Sequence, residues 1–272
     1  MIEFTDQMNQ TIRLDFPLTT GTSRIVSLVP SQTELLHHLG LEEEVVGITK
    51  FCIHPEVWFR SKQRVGGTKS VNLEKVKALK PDLIIGNKEE NAREDIEALK
   101  EIAPVWMSDI YNLPDAMDML HSLGDLLGKQ QEVKTLQATI KAQFSLLREE
   151  VKSHPLKGKT VLYFIWNDPD FLAGKNTFID KMLAECGLIN AAEGDRYPEA
   201  DLAVQPDYIF LSSEPFPFKE KHMASFQEKY PNATIVLVDG EMFSWYGSRL
   251  KDAPSYFLSL INGLVQKSKV DE

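Results

Sequence analysis

The segment KQQEVKTLQATIKAQFSLLREEVKSH occupies residues 129–154, near the middle of the chain, and the rest of the chain can be understood from it. Its apolar residues recur at steps of three and four, which predicts one apolar stripe along an α-helix. No Gly or Pro interrupts the segment, whereas Gly128 and Pro155 flank it. At about 1.5 Å per residue such a helix is roughly 37 Å long, more than a usual crossover helix. We therefore predict a rigid connector between two lobes.

Both flanking regions alternate short apolar runs with amphipathic segments, the pattern of parallel strands covered by helices. The apolar runs are RIVSLVP (24–30), EVVGIT (44–49), PDLIIG (81–86), TVLYFI (160–165), DYIFLS (207–212) and TIVLV (234–238). The predicted fold class is therefore α/β, with two Rossmann-like lobes that have parallel sheets, joined by one long helix, and a ligand cleft between the lobes. The predicted parts are an N-terminal hairpin on lobe 1 (1–23), the first lobe (24–128), the connector (129–154) and the second lobe (155–272).

Charge and cysteine content exclude several classes of protein. The 272 residues carry 30 Lys plus Arg against 40 Asp plus Glu, without a basic run, so nucleic acid is not an expected partner. Cys52 and Cys186 fall in different lobes, which fits neither a disulfide framework nor a CxxC site. The N-terminus lacks an apolar signal region, and no run is long enough to span a membrane. These features predict a cytoplasmic protein without membrane insertion, or a periplasmic one if a leader was removed before Met1.

Aromatic residues are concentrated in the loops that follow the predicted strands, where parallel α/β sheets bind ligands. The candidate ligand-binding residues there are Phe51, His54, Trp58, Trp166, Phe171, Trp245, Tyr246 and, as the main cation, Arg249. Such loops suit a large, flat, partly apolar ligand that is bound by stacking. The alternative is that several of these aromatics only anchor the loops to the sheets.

Metal binding and catalysis have weaker support in the sequence. Cys52 and His54 lie two residues apart and are donors that iron or cobalt accepts, although packing residues show the same pattern. No GxSxG, P-loop, GxGxxG or HExxH motif is present. A non-catalytic binding protein is the first hypothesis, and a corrinoid- or chelate-modifying enzyme that uses Cys52 and His54 is the second. Glu89 and Glu90 follow a strand and either touch ligand or form a solvated helix N-terminus.

Four stretches carry a family resemblance: SLVPSQTELLHHLGLEEEVVGIT, VGGTKSVNLEKVKALKPDLIIG, TFIDKMLAECG and QPDYIFL. They resemble the helical-backbone (class III, TroA-like) substrate-binding proteins of ABC transporters, most closely the cobalamin binders, with siderophore binders as cousins. The resemblance covers nearly the whole chain from Arg24 onward. It implies two α/β lobes on one long helix and a non-covalent metal-chelate ligand such as cobalamin or another corrinoid, an iron siderophore or a haem-like molecule.

The resemblance also implies roles for individual residues. Corrinoid-contacting aromatics would fall on Phe51, Phe171 and Tyr197, and Trp245 and Arg249 occupy another ligand-contacting segment. Glu74 in the NLE motif matches a surface glutamate that docks such proteins onto an ABC permease. Thr68 stands where the cobalamin binders have a tryptophan, so the resemblance does not single out cobalamin.

Overall fold

The structure is a computed structural model that describes residues 2–15, 17–18 and 21–268. The chain divides into two compact units. Unit 1 comprises residues 1–110, 114–138 and 246–249, and unit 2 comprises 111–113, 139–245 and 250–272. Met1, Phe16, Thr19, Thr20 and residues 269–272, which the sequence analysis placed in the hairpin region and the second lobe, lie outside the described residues. The predicted domain boundaries and the cleft between lobes stay predictions.

Unit 1 contains a parallel sheet, two short hairpins and the helices that follow its strands. Its strands are β1 (Ile2–Thr5), β2 (Thr11–Leu14), β3 (Ile25–Ser27), β4 (Val45–Ile48), β5 (Gln63–Arg64), β6 (Gly66–Gly67), β7 (Ser70–Val71), β8 (Leu83–Asn87) and β9 (Val105–Ser108). Its helices are α1 (Pro30–His38), α2 (Glu56–Ser61), α3 (Leu73–Ala78), α4 (Arg93–Lys100) and α5 (Leu113–Leu126), the last of which begins with a residue of unit 2.

The main sheet of unit 1 has the strand order β5-β4-β3-β8-β9, and every pairing in it is parallel. The chain builds outward from β3 to β4 on one side and then crosses to β8 on the other. The strand order therefore reverses between β3 and β8, and the loops at the carboxyl ends of these two strands diverge. In open α/β sheets this is where ligands bind.

The long helix predicted over 129–154 is present as α6 (Gln130–Lys152). The predicted stripe is its buried face, and it consists of Val133, Leu136, Ile140, Phe144, Leu147 and Val151. Gly128, with φ +65°, separates α6 from α5 in a backbone conformation that few other residues adopt. Residues of α6 up to 138 belong to unit 1 and those from 139 belong to unit 2. The helix therefore carries the chain from one unit into the other.

Unit 2 is built around a second sheet. Its strands are β10 (Thr160–Trp166), β11 (Phe171–Leu172), β12 (Ile189–Asn190), β13 (Tyr208–Ser212) and β14 (Thr234–Val238). Its helices are α7 (Phe178–Glu185), α8 (Glu220–Lys229), α9 (Gly240–Ser244) and α10 (Ala253–Ser268), with a 3-10 helix over Ser248–Lys251 that begins in unit 1. Across residues 2–15, 17–18 and 21–268, no helix has the length and apolar character needed to cross a membrane.

The sheet of unit 2 departs from the all-parallel prediction at one strand. The order is β11-β10-β13-β14, with β12 also pairing with β10, and β11 is antiparallel to β10 whereas β12, β13 and β14 run parallel. The turn over residues 167–170 is too short for a crossover helix, so the chain can only fold back beside β10. Phe171, which was predicted to lie in the loop after this strand, is thus part of an edge strand.

The predicted N-terminal hairpin is formed by β1 and β2, which pair antiparallel with Ile2 opposite Leu14. Asp6, at its turn, is buried, and one carboxylate oxygen accepts hydrogen bonds from the backbone N–H groups of Met8 (2.9 Å) and Gln10 (2.7 Å). The other oxygen accepts from the N–H of Met107, at 3.3 Å, on the edge strand β9. The hairpin therefore covers part of an edge that would otherwise expose unpaired backbone groups.

The ionisation of Asp6 makes the stability of the protein depend on pH. Burial raises the pKa of Asp6 above its usual 3.8, so the folded state holds this proton more tightly than the unfolded state. Its contribution to stability is then fully present below pH 3.8 and is lost as the pH rises through the folded pKa. We expect the unfolding free energy of the wild type, relative to Asp6→Asn, to fall across that window in urea titrations. A pH-independent difference would contradict this account.

Candidate functional site

A network of buried polar side chains lies at the carboxyl ends of β3, β8 and β9 in unit 1. Ser108, which ends β9, accepts a hydrogen bond on Oγ from Gln32 Nε2 at 2.5 Å and another from Asn87 Nδ2 at 2.9 Å. Asn91 Oδ1 accepts from the backbone N–H of Asn87 at 2.8 Å. All four side chains are buried. The network therefore fixes the first turn of α1 and the loop after β8 at the point where the strand order reverses.

Two glutamates, Glu89 and Glu90, are hydrogen-bonded to this network through Asn87. The backbone N–H groups of Glu89 and Glu90 donate to Asn87 Oδ1 at 2.8 and 3.0 Å, which closes a tight turn before α4 begins at Arg93. Glu90 is half-buried, and its pKa is raised by burial first and by the charge of Glu89 second. Glu90 is thus neither in a helix nor fully solvated, contrary to the solvated-terminus alternative of the sequence analysis.

The segment Tyr246 to Arg249 comes from the far end of the chain and belongs to unit 1. The guanidinium of Arg249 donates to both carboxylate oxygens of Glu34 on α1, at 2.7 and 3.1 Å. A Cβ on Gly247 would lie 2.6 Å from the carbonyl oxygen of Ser31, so only glycine allows this approach. Arg249 was expected to offer its charge to the ligand, but Glu34 already neutralises that charge.

Tyr246 is buried beside the same acidic residues. Its pKa is raised well above the usual value by burial and then by the charges of Glu90 and Glu89, with Asp109 adding a smaller effect. The phenol of Tyr246 is therefore held in its neutral form. Because Tyr246 is buried, little of its ring is accessible for the predicted contact with a ligand.

The loop after β4 divides the predicted residues into exposed and buried ones. Phe51 is 50% exposed, and His54 is half-buried. Cys52 and Trp58 are fully buried, because Cys52 lies between the hydroxyls of Thr33 and Thr49, each 3.1 Å from its sulfur, and Trp58 is on the inner face of α2. Of the four predicted residues in this segment, Phe51 is the most exposed.

A metal site at Cys52 and His54 has no support in this geometry. Burial raises the pKa of the Cys52 thiol, so the thiolate that binds metals is disfavoured. In the part of the chain that the structure describes, no group of three or more His, Cys, Asp and Glu side chains is arranged to hold a metal ion.

Unit 2 has an exposed aromatic surface, the aromatic platform, made of Trp166, Phe171 and Tyr197. Trp166, at the carboxyl end of β10, is 43% exposed and lies opposite Phe171 in the β10–β11 ladder. Tyr197, 40% exposed, is on a segment that hydrogen-bonds to β11 through Leu172 N–H and Pro198 O at 2.9 Å. The backbone segments that carry these three predicted residues therefore pair along the β11 edge of the sheet.

Glycine and arginine residues shape this edge. A Cβ on Gly174 would lie 2.3 Å from the carbonyl oxygen of Gly194, so the close approach of these two segments requires glycine. Arg196 stacks its guanidinium 5.6 Å from the ring of Tyr197 and 5.2 Å from that of Tyr111. Sequence reasoning missed Arg196 and Tyr111, because nothing local in the sequence relates them.

Trp245, another predicted contact, is largely buried in unit 2. Its indole Nε1 donates to Glu214 Oε1 at 2.9 Å, and the hydroxyl of Ser244 donates to the same oxygen at 2.5 Å. Glu214 therefore holds the end of α9 in place. Trp245 is thus held by Glu214, and its predicted contact with a ligand stays a prediction.

Comparison with known proteins connects this arrangement to a family. Residues 25–226 match the periplasmic binding protein family. Over 207 residues the chain is 29% identical to the uncharacterized ABC transporter substrate-binding lipoprotein YvrC of Bacillus subtilis, covering 72% of this chain but only 65% of that protein. A vitamin B12-binding protein of Pectobacterium carotovorum is 23% identical over 89% of both chains.

A solved structure agrees in fold. The periplasmic haem-binding protein BhuT, in complex with two haems, superposes with a TM-score of 0.78 at 20% identity, over 89% of this chain and 98% of that one. The residues that match the family, 25–226, include the main sheet of unit 1, α6 and most of the sheet of unit 2. The chain belongs to the periplasmic binding protein family.

Proposed function

We propose that this chain is the substrate-binding component of an ABC importer and that its ligand is a metal chelate of the corrinoid, haem or ferric siderophore class. The observation that carries the proposal is the aromatic platform of unit 2, which exposes large rings at the strand ends. Exposed aromatic rings that are held by backbone pairing offer a stacking surface at little entropic cost. The names of the relatives, which bind vitamin B12 or haem, support the same class of ligand.

We further propose that binding is non-covalent and that no reaction follows. The chelate-modifying alternative relied on Cys52 and His54. Because the Cys52 thiol is buried and its pKa is raised, it is a poor nucleophile. No observation in the described residues favours the enzyme over the binding protein.

The place of action follows from the same relatives. They include a lipoprotein and periplasmic proteins, so the expectation of a cytoplasmic protein has no support from them. We propose that the chain acts outside the cytoplasmic membrane and delivers its ligand to a permease in that membrane.

Thermal unfolding tests the ligand class. Full-length protein is heated alone and with dicyanocobinamide, haemin or ferrichrome, each from low to saturating concentration. At 100 times its dissociation constant, a ligand that binds only the folded state adds about 2.7 kcal/mol to the unfolding free energy. We expect at least one of the three chelates to raise the melting temperature in this dose-dependent way. The absence of any shift would reject the proposal.

Replacing Trp166 by alanine is expected to weaken binding of the stabilising chelate by about 30-fold, since a central aromatic contact contributes roughly 2 kcal/mol. Titration calorimetry measures the change. Leu146→Ala is the matched control, because Leu146 is an exposed apolar side chain on α6 rather than at a strand end. An unchanged affinity in Trp166→Ala would show that the platform does not hold the ligand.

Glu74 tests the transporter partner separately from the ligand. It is exposed in the first turn of α3, where Asn72 caps the helix by accepting from the N–H of Lys75 at 2.9 Å. Glu74→Arg is expected to reduce chelate uptake in cells about tenfold or more, because a reversed charge repels a basic docking surface. Affinity for the chelate is expected to stay unchanged. Glu94→Arg, an exposed position on α4, is the control, and equal uptake by both variants would argue against docking through Glu74.

A further inference from the structure

Trp166, at the end of β10, has an aromatic neighbour on each side of its strand, and all three residues belong to unit 2. Phe171 lies opposite it in the β10–β11 ladder, and Phe216 follows β13, which pairs with β10 on the other side. The backbone N–H of Phe216 donates to the carbonyl oxygen of Ile165 at 3.2 Å. Phe216 is therefore attached to the residue that precedes Trp166.

The ring of Phe216 meets the ring of Trp166 edge to face. The two ring centroids are 5.8 Å apart and the ring planes are inclined by 69°, which is the T-shaped arrangement that aromatic pairs favour. Because Trp166 is 43% exposed, part of its indole faces solvent while another part rests against Phe216. A contact of this kind limits the rotamers that the indole can adopt.

Phe216 is itself held by the core of unit 2. Its ring centroid is 4.7 Å from that of Phe218 and 5.4 Å from that of His222. Phe218 is buried and contacts the fully buried Phe226, with 5.6 Å between the ring centroids. The imidazole of His222 is fixed as well, because its Nδ1 accepts from the backbone N–H of Lys219 at 2.9 Å where α8 begins. A continuous set of rings therefore connects the exposed indole to the core.

The orientation of an exposed ring affects how tightly it binds a flat molecule. A freely rotating side chain loses rotamer freedom when a ligand stacks on it, and this loss of entropy weakens binding. A ring that its neighbours already hold in the binding orientation loses less freedom, so the same stacking contact gives a higher affinity.

We propose that Phe216 is a positioning residue, which holds the indole of Trp166 in the orientation that receives a flat ligand on its exposed face. This inference rests on the proposed function, because it takes Trp166 as a ligand contact. Phe216 acts through Trp166 and not by touching the ligand, so its effect on affinity depends on the presence of the indole.

A double-mutant cycle tests this dependence. Titration calorimetry on the full-length protein uses whichever of dicyanocobinamide, haemin and ferrichrome raises the melting temperature. Leucine keeps apolar bulk at position 216 but removes the ring, so we expect Phe216→Leu to weaken binding by about fivefold. In the Trp166→Ala background the same change is expected to alter the affinity less than about twofold, because no indole is left to orient.

Two further variants separate orientation of the indole from general effects on the fold. Phe216→Tyr keeps the ring and is expected to bind the chelate within about twofold of the wild type. Phe4→Leu makes the matched substitution at a half-buried position on β1, in unit 1, and is expected to change the affinity less than about twofold. Melting temperatures show whether each variant is folded.

Fluorescence quenching tests the orientation of the indole without any ligand. Trp58, Trp106 and Trp245 are buried, so quenching of tryptophan fluorescence by acrylamide reports mainly on Trp166. Loss of the ring at position 216 frees the indole, and we expect the quenching constant to rise in Phe216→Leu but not in Phe216→Tyr.

The outcomes separate this inference from the proposed function. If Phe216→Leu weakened chelate binding equally with and without the indole of Trp166, or left the quenching constant unchanged, the positioning role would be wrong while the protein still bound a chelate. If none of the three chelates binds, the proposed function is wrong, and the role of Phe216 in ligand binding is wrong with it.

Discussion

Replacing Arg249 by methionine is expected to lower the unfolding free energy by about 2–3 kcal/mol, because it leaves a partly buried carboxylate without its partner. The side chains of Arg249 and Glu34 are only 13% and 23% exposed, and the pair is bidentate. It attaches residues 246–249 to α1, beside the backbone contact of Gly247. Urea unfolding followed by circular dichroism measures the loss.

Arg148→Met is the matched control for this prediction. Arg148 also makes two hydrogen bonds to one glutamate, Glu185, at 2.7 and 2.6 Å, but its side chain is 51% exposed. Glu185 is 17% exposed, but solvent reaches the pair from the side of Arg148, so its loss is expected to cost about 1 kcal/mol, less than the loss of the Arg249 pair, in which both side chains are shielded. If Arg148→Met were as destabilising as Arg249→Met, burial would not be what gives the Arg249 pair its strength.

Phe144→Ala is expected to have the largest effect on stability, a loss of about 3–5 kcal/mol. Phe144 is fully buried on the inner stripe of α6, so its removal leaves a cavity as well as losing apolar contact. Urea unfolding of the variant measures the change, with the midpoint moving to much lower urea.

Leu146→Ala, two residues away on the exposed face of the same helix, is the control and is expected to change stability by less than about 0.5 kcal/mol. A small effect of Phe144→Ala, similar to that of Leu146→Ala, would mean that the buried stripe of α6 contributes little to holding the fold together.

The features that the sequence predicts well are those with a local pattern. The helix α6 was visible because its apolar residues recur with helical spacing over more than 20 residues without Gly or Pro. The parallel strands β8, β10 and β13 were visible as continuous apolar runs, since their side chains are buried on both faces. The hairpin predicted within residues 1–23 is present, and Asn9, with φ +58°, lies in its turn.

The features that the sequence does not reveal depend on contacts between distant residues. The partner of Arg249 is 215 positions away, so its charge looked available to a ligand. Trp58 and Cys52 share a loop with the exposed Phe51, and only the packing of α2 and the hydroxyls of Thr33 and Thr49 decides which side chains are buried. Composition of a loop shows which residues are present but not which of them face solvent.

The turn that contains Glu89 and Glu90 was not predicted, for a related reason. An acidic pair before an amphipathic segment is typical of a solvated helix N-terminus. In the structure, Asn87 accepts from both backbone N–H groups, so the two glutamates form a turn that leads away from the strand and keeps Glu90 half-buried. A side chain that caps its own loop in this way cannot be recognised from spacing alone.

Titration calorimetry of the full-length protein with dicyanocobinamide, haemin and ferrichrome, repeated on Trp166→Ala and Tyr197→Ala with the chelate that binds, tests the central claim most directly. A chelate-binding protein that uses its aromatic platform should bind with a stoichiometry near one, and each substitution should weaken binding by about 30-fold while the melting temperature of the free protein changes little. The claim would be contradicted if none of the three chelates gave saturable heat with the wild type, or if both variants bound the ligand as tightly as the wild type.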